Sequence, residues 1–253
     1  MTIELTGHTA GSVEALDAQQ QRQTFQKAFV VLPEGEYEGE LEHCPDVASK
    51  YPVILFLHGS SGITEPVKQF GRCLAGEGFA FIAPNSMNTV DRLTYTSPVA
   101  RETYEKIHAM RASELKFAIE HLHELSFFDG RYVLAGTSEG GVSVARCRDR
   151  NRSGEERGRM IFSWSCEDNY HVQAHRTSIP SCVPVLNIMS ANDKYFGQSN
   201  SYLDNDHACG HAGHTRSEHP DCTVVLIPSA PHTLFHLPSV QSVVVAFLRR
   251  VSA

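Results

Sequence analysis

"RYVLAGTSEGG", residues 131–141, runs from a β-branched and aromatic stretch into a turn of small residues with one hydroxyl, Ser138, near its centre. Tyr132 to Ala135 suit a buried, pleated strand, and "GVSVARCR" from Gly141 onward suits the opening of a helix. Between them, Gly136-Thr137-Ser138-Glu139-Gly140 has the G-x-S-x-G spacing of an elbow, in which a strand turns sharply into a helix and the serine is exposed at the apex. With glycine at about 7% of average sequence and serine similar, about one chain in ten of this length carries that spacing by accident. Ser138 therefore reads either as a nucleophile or as a serine in a tight turn, and its surroundings must decide.

Upstream, "YPVILFLHG" (51–59) is a continuous apolar run ended by His-Gly, as expected of a strand covered on both faces. Covering helices follow. "TEPVKQFGRCLAGEG" (64–78) spaces Val67, Phe70 and Leu74 along one helical face and stops at Gly76 and Gly78, before "FAFIAPN" (79–85) as a second buried strand. "RETYEKIHAMRASELKFAIEHLHEL" (101–125) places Ile107, Met110, Leu115, Ala118 and Leu122 near one face and leads into the strand of the elbow. Downstream, "GRMIFSWS" (158–165), "VPVLNIMS" (183–190) and "CTVVLIP" (222–228) read as strands, and "SVQSVVVAFLRRV" (239–251) as a closing helix. Strands alternating with helices predict an α/β fold with a mostly parallel central sheet, whose strand C-termini lie along one edge and carry any site. "FQKAFVVLP" (25–33) and Tyr37–Leu41 form a short hairpin, and residues 1–24, polar and without an apolar period, read as an N-terminal arm or weak first strand. A single domain over 25–253 is expected. Two stretches break the rhythm: the charged "RDRNRSGEERGR" (148–159), read as a solvated loop, and the polar excursion 195–221.

The 253 residues include 29 acidic and 22 basic side chains, a formal charge of −7, with no block of consecutive lysines and arginines. This argues against nucleic acid or an anionic membrane as partner. No apolar run approaches a bilayer span, and the N-terminus lacks the basic-then-apolar order of a secretory leader, so a cytoplasmic location is expected. Seven cysteines, odd in number and scattered from Cys44 to Cys222, are expected to be mostly reduced thiols.

A serine hydroxyl needs a base to take its proton and a carboxylate to hold that base in the right tautomer. Asp193, in "ANDKY", lies just past one buried strand, and His232, in "SAPHTLFHLP", just past the last. Their order after Ser138 is the one this type of elbow requires. Asp193 reads otherwise as a turn or cap residue, with Asp168, Asp204 and Asp206 as rivals, and His236 is the rival of His232. "LHGSSG" (57–62) supplies a glycine turn that aims the N–H of Ser60 into the site, and the N–H of Glu139 is the second donor of an oxyanion hole. The Glu139 carboxylate also suits a helix N-terminus, and His58 reads as structural. Cys209, His211, His214, His219 and Cys222, with Asp206 and His207, crowd one loop; zinc, a Cys209–Cys222 bridge and a plain histidine-rich loop all remain open, no tight ligand spacing being recognisable. Neither a cofactor nor a metal is expected. Cys166 reads mainly as a packing residue, and Tyr95, Tyr104 and Arg111 as packing or salt-bridge residues with substrate contact as the other reading.

Five segments in order, "YPVILFLHGSSG", "LAGEGFAFIAPNS", "YVLAGTSEGG", "IMSANDKYF" and "PSAPHTLF", resemble the α/β-hydrolases, and within them the dienelactone hydrolase-like branch, in which a doubled glycine follows the elbow. The resemblance spans roughly residues 50 to 250. Dienelactone hydrolases proper carry cysteine where this chain has Ser138, which points to an esterase-like relative. The resemblance implies a triad of Ser138, Asp193 and His232, oxyanion donors at Ser60 and Glu139, an acyl-enzyme, and a small-molecule ester as substrate. The short distance from the elbow to Asp193 implies the absence of a large lid. The same triad also suits an amidase, peptidase or acyltransferase, a non-catalytic binding protein is a further alternative, and assembly as a homodimer is compatible with the sequence.

Overall fold

The computed structural model describes residues 3–148, 154–198 and 205–252. Its strands are β1 (His8–Ala10), β2 (Phe29–Val31), β3 (Glu38–Glu40), β4 (Tyr51–Leu57), β5 (Ala80–Ala83), β6 (Thr94–Thr96), β7 (Phe128–Thr137), β8 (Glu156–Phe162), β9 (Val185–Ser190) and β10 (Cys222–Ile227). The helices are α1 (Ala18–Gln26), α2 (Glu65–Gly76), α3 (Arg101–His121), α4 (Glu139–Arg146) and α5 (Pro238–Ser252). Eight strands form one sheet in the order β10-β9-β8-β7-β4-β5-β2-β3. It is parallel from β10 through β5, while β2 runs antiparallel to both β5 and β3.

Period-two alternation sends β4 into two cores at once. Val53, Leu55 and Leu57 face one side, with Phe25, Leu115, Ala118, Val142 and Val144 from α1, α3 and α4. Ile54 and Phe56 face the other, with Val67, Phe70 and Leu74 of α2 and Val240, Val244 and Phe247 of α5. Burial on both faces explains why β4, β5 and the end of β7 read as unbroken apolar runs. Among the described residues β10 pairs with β9 alone, so its residues are no more than half-buried and Leu226 is 44% exposed.

Some boundaries differ from expectation. β8 begins at Glu156, inside the stretch expected as a solvated loop, because Glu156 pairs in the core with Arg159 instead of facing water; residues 149–153 of that stretch lie outside the described residues. α1 crosses the expected boundary at residue 25. It opens on a capping box, Asp17 with Gln20, and buries only Thr24 and Phe25, too few apolar contacts to print a period on the sequence. Ahead of it, β1 pairs antiparallel with β6 as a separate two-stranded ribbon, and Val13 bridges to Arg92. No helix among the described residues is long and apolar enough to cross a membrane.

Candidate active site

β4, β7, β9 and β10 deliver the chemistry-bearing turns to one edge. Ser138 follows β7 directly and has φ 52° and ψ −118°, a left-handed conformation that costs a non-glycine residue on the order of 1–3 kcal/mol. The surroundings hold it there: its N–H donates to Phe162 O at 2.9 Å, and its C=O accepts from the N–H of Val142 at 3.1 Å, starting α4. The two glycines of the motif permit the turn by close approach. A Cβ at Gly140 would lie 2.2 Å from Leu57 O, and one at Gly136 would lie 2.6 Å from Gly140 O.

Asp193 and His232 meet. His232 Nδ1 lies 2.7 Å from Asp193 Oδ2, and the N–H groups of Tyr195 and Phe196 donate to Asp193 Oδ1 at 2.9 and 3.0 Å. Burial by itself would raise the Asp193 carboxyl, but the hydrogen bond and charge of His232 and the two backbone donors outweigh it and hold the group below its ordinary value. The histidine loop is tied down by hydroxyls at strand ends: Ser190 Oγ donates to Ala230 O at 2.6 Å, and Ser163 Oγ donates to His232 O. Neither serine was singled out in the sequence, although each stands at the end of a buried strand. Asp193 has no exposed side-chain surface and His232 only 13%, so the pair is dry at the acid and open at the imidazole.

Ser138, His232 and Ser60 line one cavity of about 480 Å³, with Tyr95, Tyr170, His171, Tyr195, Phe196 and Phe235 among its walls. The "LHGSSG" turn reaches it because Gly59 passes close to the elbow, a Cβ there lying 3.5 Å from Ser138 Cβ.

Behind the elbow lies a buried charge network that pattern reading underestimated. Glu139 does more than face a helix dipole: its Oε1 accepts from Arg92 at 2.6 Å and from Arg111 at 3.1 Å, all three side chains being buried. Burial opposes the Glu139 charge, and the two guanidinium groups outweigh it, holding the carboxyl below its ordinary value. Arg111 Nε is also 2.8 Å from Glu114, whose carboxyl is raised by burial. His58 lies against Arg111, its Nδ1 2.6 Å from Gly59 O; burial and the Arg111 charge keep it neutral, as a structural residue should be. Arg111 and Glu114 stand at i, i+3 within the apolar stripe of α3, and a charged pair in a core-facing stripe was the available signal. Arg92 left no comparable trace.

The rivals are occupied elsewhere. Asp168 accepts from the N–H of His175 at 2.6 Å, Asp206 is exposed, and Asp204 lies outside the described residues. His236 packs beside Phe235, whereas the contact to Asp193 belongs to His232. Of the excursion 195–221, residues 199–204 lie outside the described residues; in its later part the N–H groups of Cys209 and Gly210 donate to Glu167 at 2.8 and 2.9 Å and that of Ala212 to Asn187 at 2.9 Å. All seven cysteines are free thiols. Among the described residues, the one close group of His, Cys, Asp and Glu side chains is Glu40, Glu42 and His43, away from that loop, and there Lys27 already bonds both carboxylates. Cys166 is fully buried, with its thiol pushed up to about 12 by burial, which suits packing. Tyr104 is buried, donating to Ser97 Oγ at 2.9 Å and accepting from the N–H of Val99; Tyr95 lines the cavity.

No protein-family model matches the sequence, and no curated protein is similar enough to match it. Solved structures are similar in fold at low identity. Est1E from Butyrivibrio proteoclasticus with ferulic acid bound is 15% identical at a TM-score of 0.58, over 89% of this chain and 94% of that one. A lid-less α/β serine hydrolase from Xanthomonas campestris is 16% identical at 0.54, over 88% of each chain. A Klebsiella pneumoniae protein assigned to the dienelactone hydrolases is 13% identical at 0.56, over 89% and 92%. Its mostly parallel sheet, flanking helices and strand-turn-helix elbow at Ser138 give the chain an α/β-hydrolase fold, similar to that of these esterase, lid-less hydrolase and dienelactone hydrolase structures.

Proposed function

We propose that the chain is a serine hydrolase that cleaves carboxylic esters. The observation that carries this reading is the 2.7 Å Asp193–His232 pair opening onto the same cavity as Ser138 at its strained turn. In the proposed reaction Ser138 Oγ attacks the ester carbonyl while His232 Nε2 takes its proton. Asp193 keeps the imidazole in the Nδ1–H tautomer and stabilises the imidazolium. The N–H groups of Ser60 and Glu139 hold the oxyanion, preorganised at the end of β4 and the start of α4. His232 returns the proton to the leaving alcohol, and water, activated by the same imidazole, resolves the acyl-enzyme to the acid. The aromatic walls Tyr95, Tyr170, Tyr195, Phe196 and Phe235 suit a flat acyl or alcohol group, and ferulic acid, bound by the similar Est1E, is such a group.

The test is covalent labelling. A fluorophosphonate probe is expected to modify Ser138 in the wild type and leave the Ser138→Ala protein unlabelled. That variant is expected to lose turnover of p-nitrophenyl acetate by at least about 10³-fold. Full activity in Ser138→Ala sinks the reading.

A further inference from the structure

One residue pair on the cavity wall has no part in the reaction just described. Tyr95 Oη lies 3.1 Å from His171 Nε2, and both residues line the cavity that holds Ser138 and Ser60. His171 is 2% exposed, and its ring is enclosed by Tyr104 at 4.0 Å, His108 at 4.9 Å and Phe196 at 5.4 Å between centroids. Its Nδ1 is buried and has no hydrogen-bond partner among the described residues.

That orphan nitrogen fixes the tautomer. A neutral imidazole has one N–H and one bare nitrogen. Were the proton on Nδ1, a donor would be buried with nothing to receive it; with the proton on Nε2, only a lone pair is left unused, and orphaned buried donors are the rarer and costlier case. The ring is neutral because burial and the neighbouring His108 keep its pKa well below the ordinary value. Nε2–H therefore donates to Tyr95 Oη. With His171 as donor, the phenol does not spend its own proton on the imidazole, and that proton is free to face the cavity that Tyr95 lines. The phenol keeps that proton, since burial and the Glu139 charge raise its pKa well above the usual value.

We propose that the Tyr95 hydroxyl is a third donor to the oxyanion formed on Ser138, beside the Ser60 and Glu139 N–H groups, and that His171 is a positioning residue that turns the Tyr95 proton toward it. The proposal rests on the serine-hydrolase reading above. It deepens it: the oxyanion hole would combine two backbone donors with one side-chain donor supplied by β6, a strand outside the main sheet.

The experiment combines Tyr95→Phe with a trifluoromethyl ketone, which adds to the serine as a hemiketal oxyanion. Tyr95→Phe is expected to lower kcat/KM on p-nitrophenyl acetate on the order of 10²-fold with little change in KM, the scale of losing one oxyanion donor. Affinity for the ketone should weaken by a similar factor. Equal ketone affinity and kcat/KM within twofold of wild type would overturn the proposal, as would a loss confined to KM. Should Tyr95→Phe fail to fold, the His171 variants decide. His171→Leu is expected to lose about 10-fold in both readouts, and His171→Gln, whose amide N–H stands in for Nε2–H, to recover most of it; equal values for the two overturn the proposal. The ¹⁵N shifts of His171 in the wild type are expected to report the Nε2–H tautomer, and an Nδ1–H tautomer is equally fatal. Fluorophosphonate labelling separates the two readings. A wild type that the probe ignores removes the hydrolase itself, whereas a labelled wild type matched by an undiminished Tyr95→Phe removes only the third donor.

Discussion

At the scale of single residues, Asp193 combines a buried carboxylate with one imidazole and two backbone donors. Asp193→Asn keeps the shape but offers the imidazole a partner that favours the wrong tautomer. Turnover is expected to fall on the order of 10⁴-fold with little loss of stability, to be measured as kcat alongside a urea titration. Arg111 sits at the opposite extreme, serving the site from behind. Arg111→Met leaves Glu139 and Glu114 buried with fewer counter-charges, and unfolding free energy is expected to drop by about 3–5 kcal/mol, measured by urea unfolding. The contrast also explains what was legible. Ser138, Asp193 and His232 each sit in a turn past a sheet strand, so local pattern suffices to bring these candidates to one edge of the sheet. Arg92 and Tyr95 find their partners 47 and 76 residues away, Glu139 and His171 respectively, and no local spacing encodes such a pairing.

Among elements, the elbow is a packing joint between β4, β7 and α4. The backbone of Gly140 runs against the end of β4, so Gly140→Ala must push α4 off its seat or bend β4. A loss of about 1–3 kcal/mol is expected from overpacking, with turnover falling further than stability because the displaced helix start carries the Glu139 N–H. Thermal melting set beside p-nitrophenyl acetate turnover checks both. The buried strands were readable because coverage on two faces demands continuous apolar sequence. α1 was not, since a helix laid over the rim of a core buries a single turn and otherwise displays the polar composition of a loop. The start of β8 was hidden for a related reason: Glu156 and Arg159 look solvated in sequence, yet they neutralise each other in the interior.

For the molecule as a whole, buried histidines tie stability to pH. His58, His108 and His171 are held neutral chiefly by burial, and His108 is lowered to about 4. Between the unfolded value near 6.5 and these lowered values, the unfolded chain binds protons that the folded chain does not, so stability falls as the pH falls. Each proton fully linked in this way contributes a slope of about 1.4 kcal/mol per pH unit. Asp193 and Glu139, lowered by their cationic partners, extend the loss below about pH 4. Urea midpoints are expected to hold steady above about pH 7 and to decline from about pH 6.5 downward; a flat profile to pH 5 contradicts this. The β1–β6 ribbon bears on how such a sequence can vary. β1 contributes backbone pairing to the strand that carries Tyr95, while its own side chains are exposed. In a saturation library, Thr9 and Ala10 should therefore accept most substitutions and reject single-residue deletions, because a frame shift of one residue repositions the pairing whereas a changed side chain does not. Drift in residue identity there, with the count of residues held constant, is the record that a backbone-only constraint leaves.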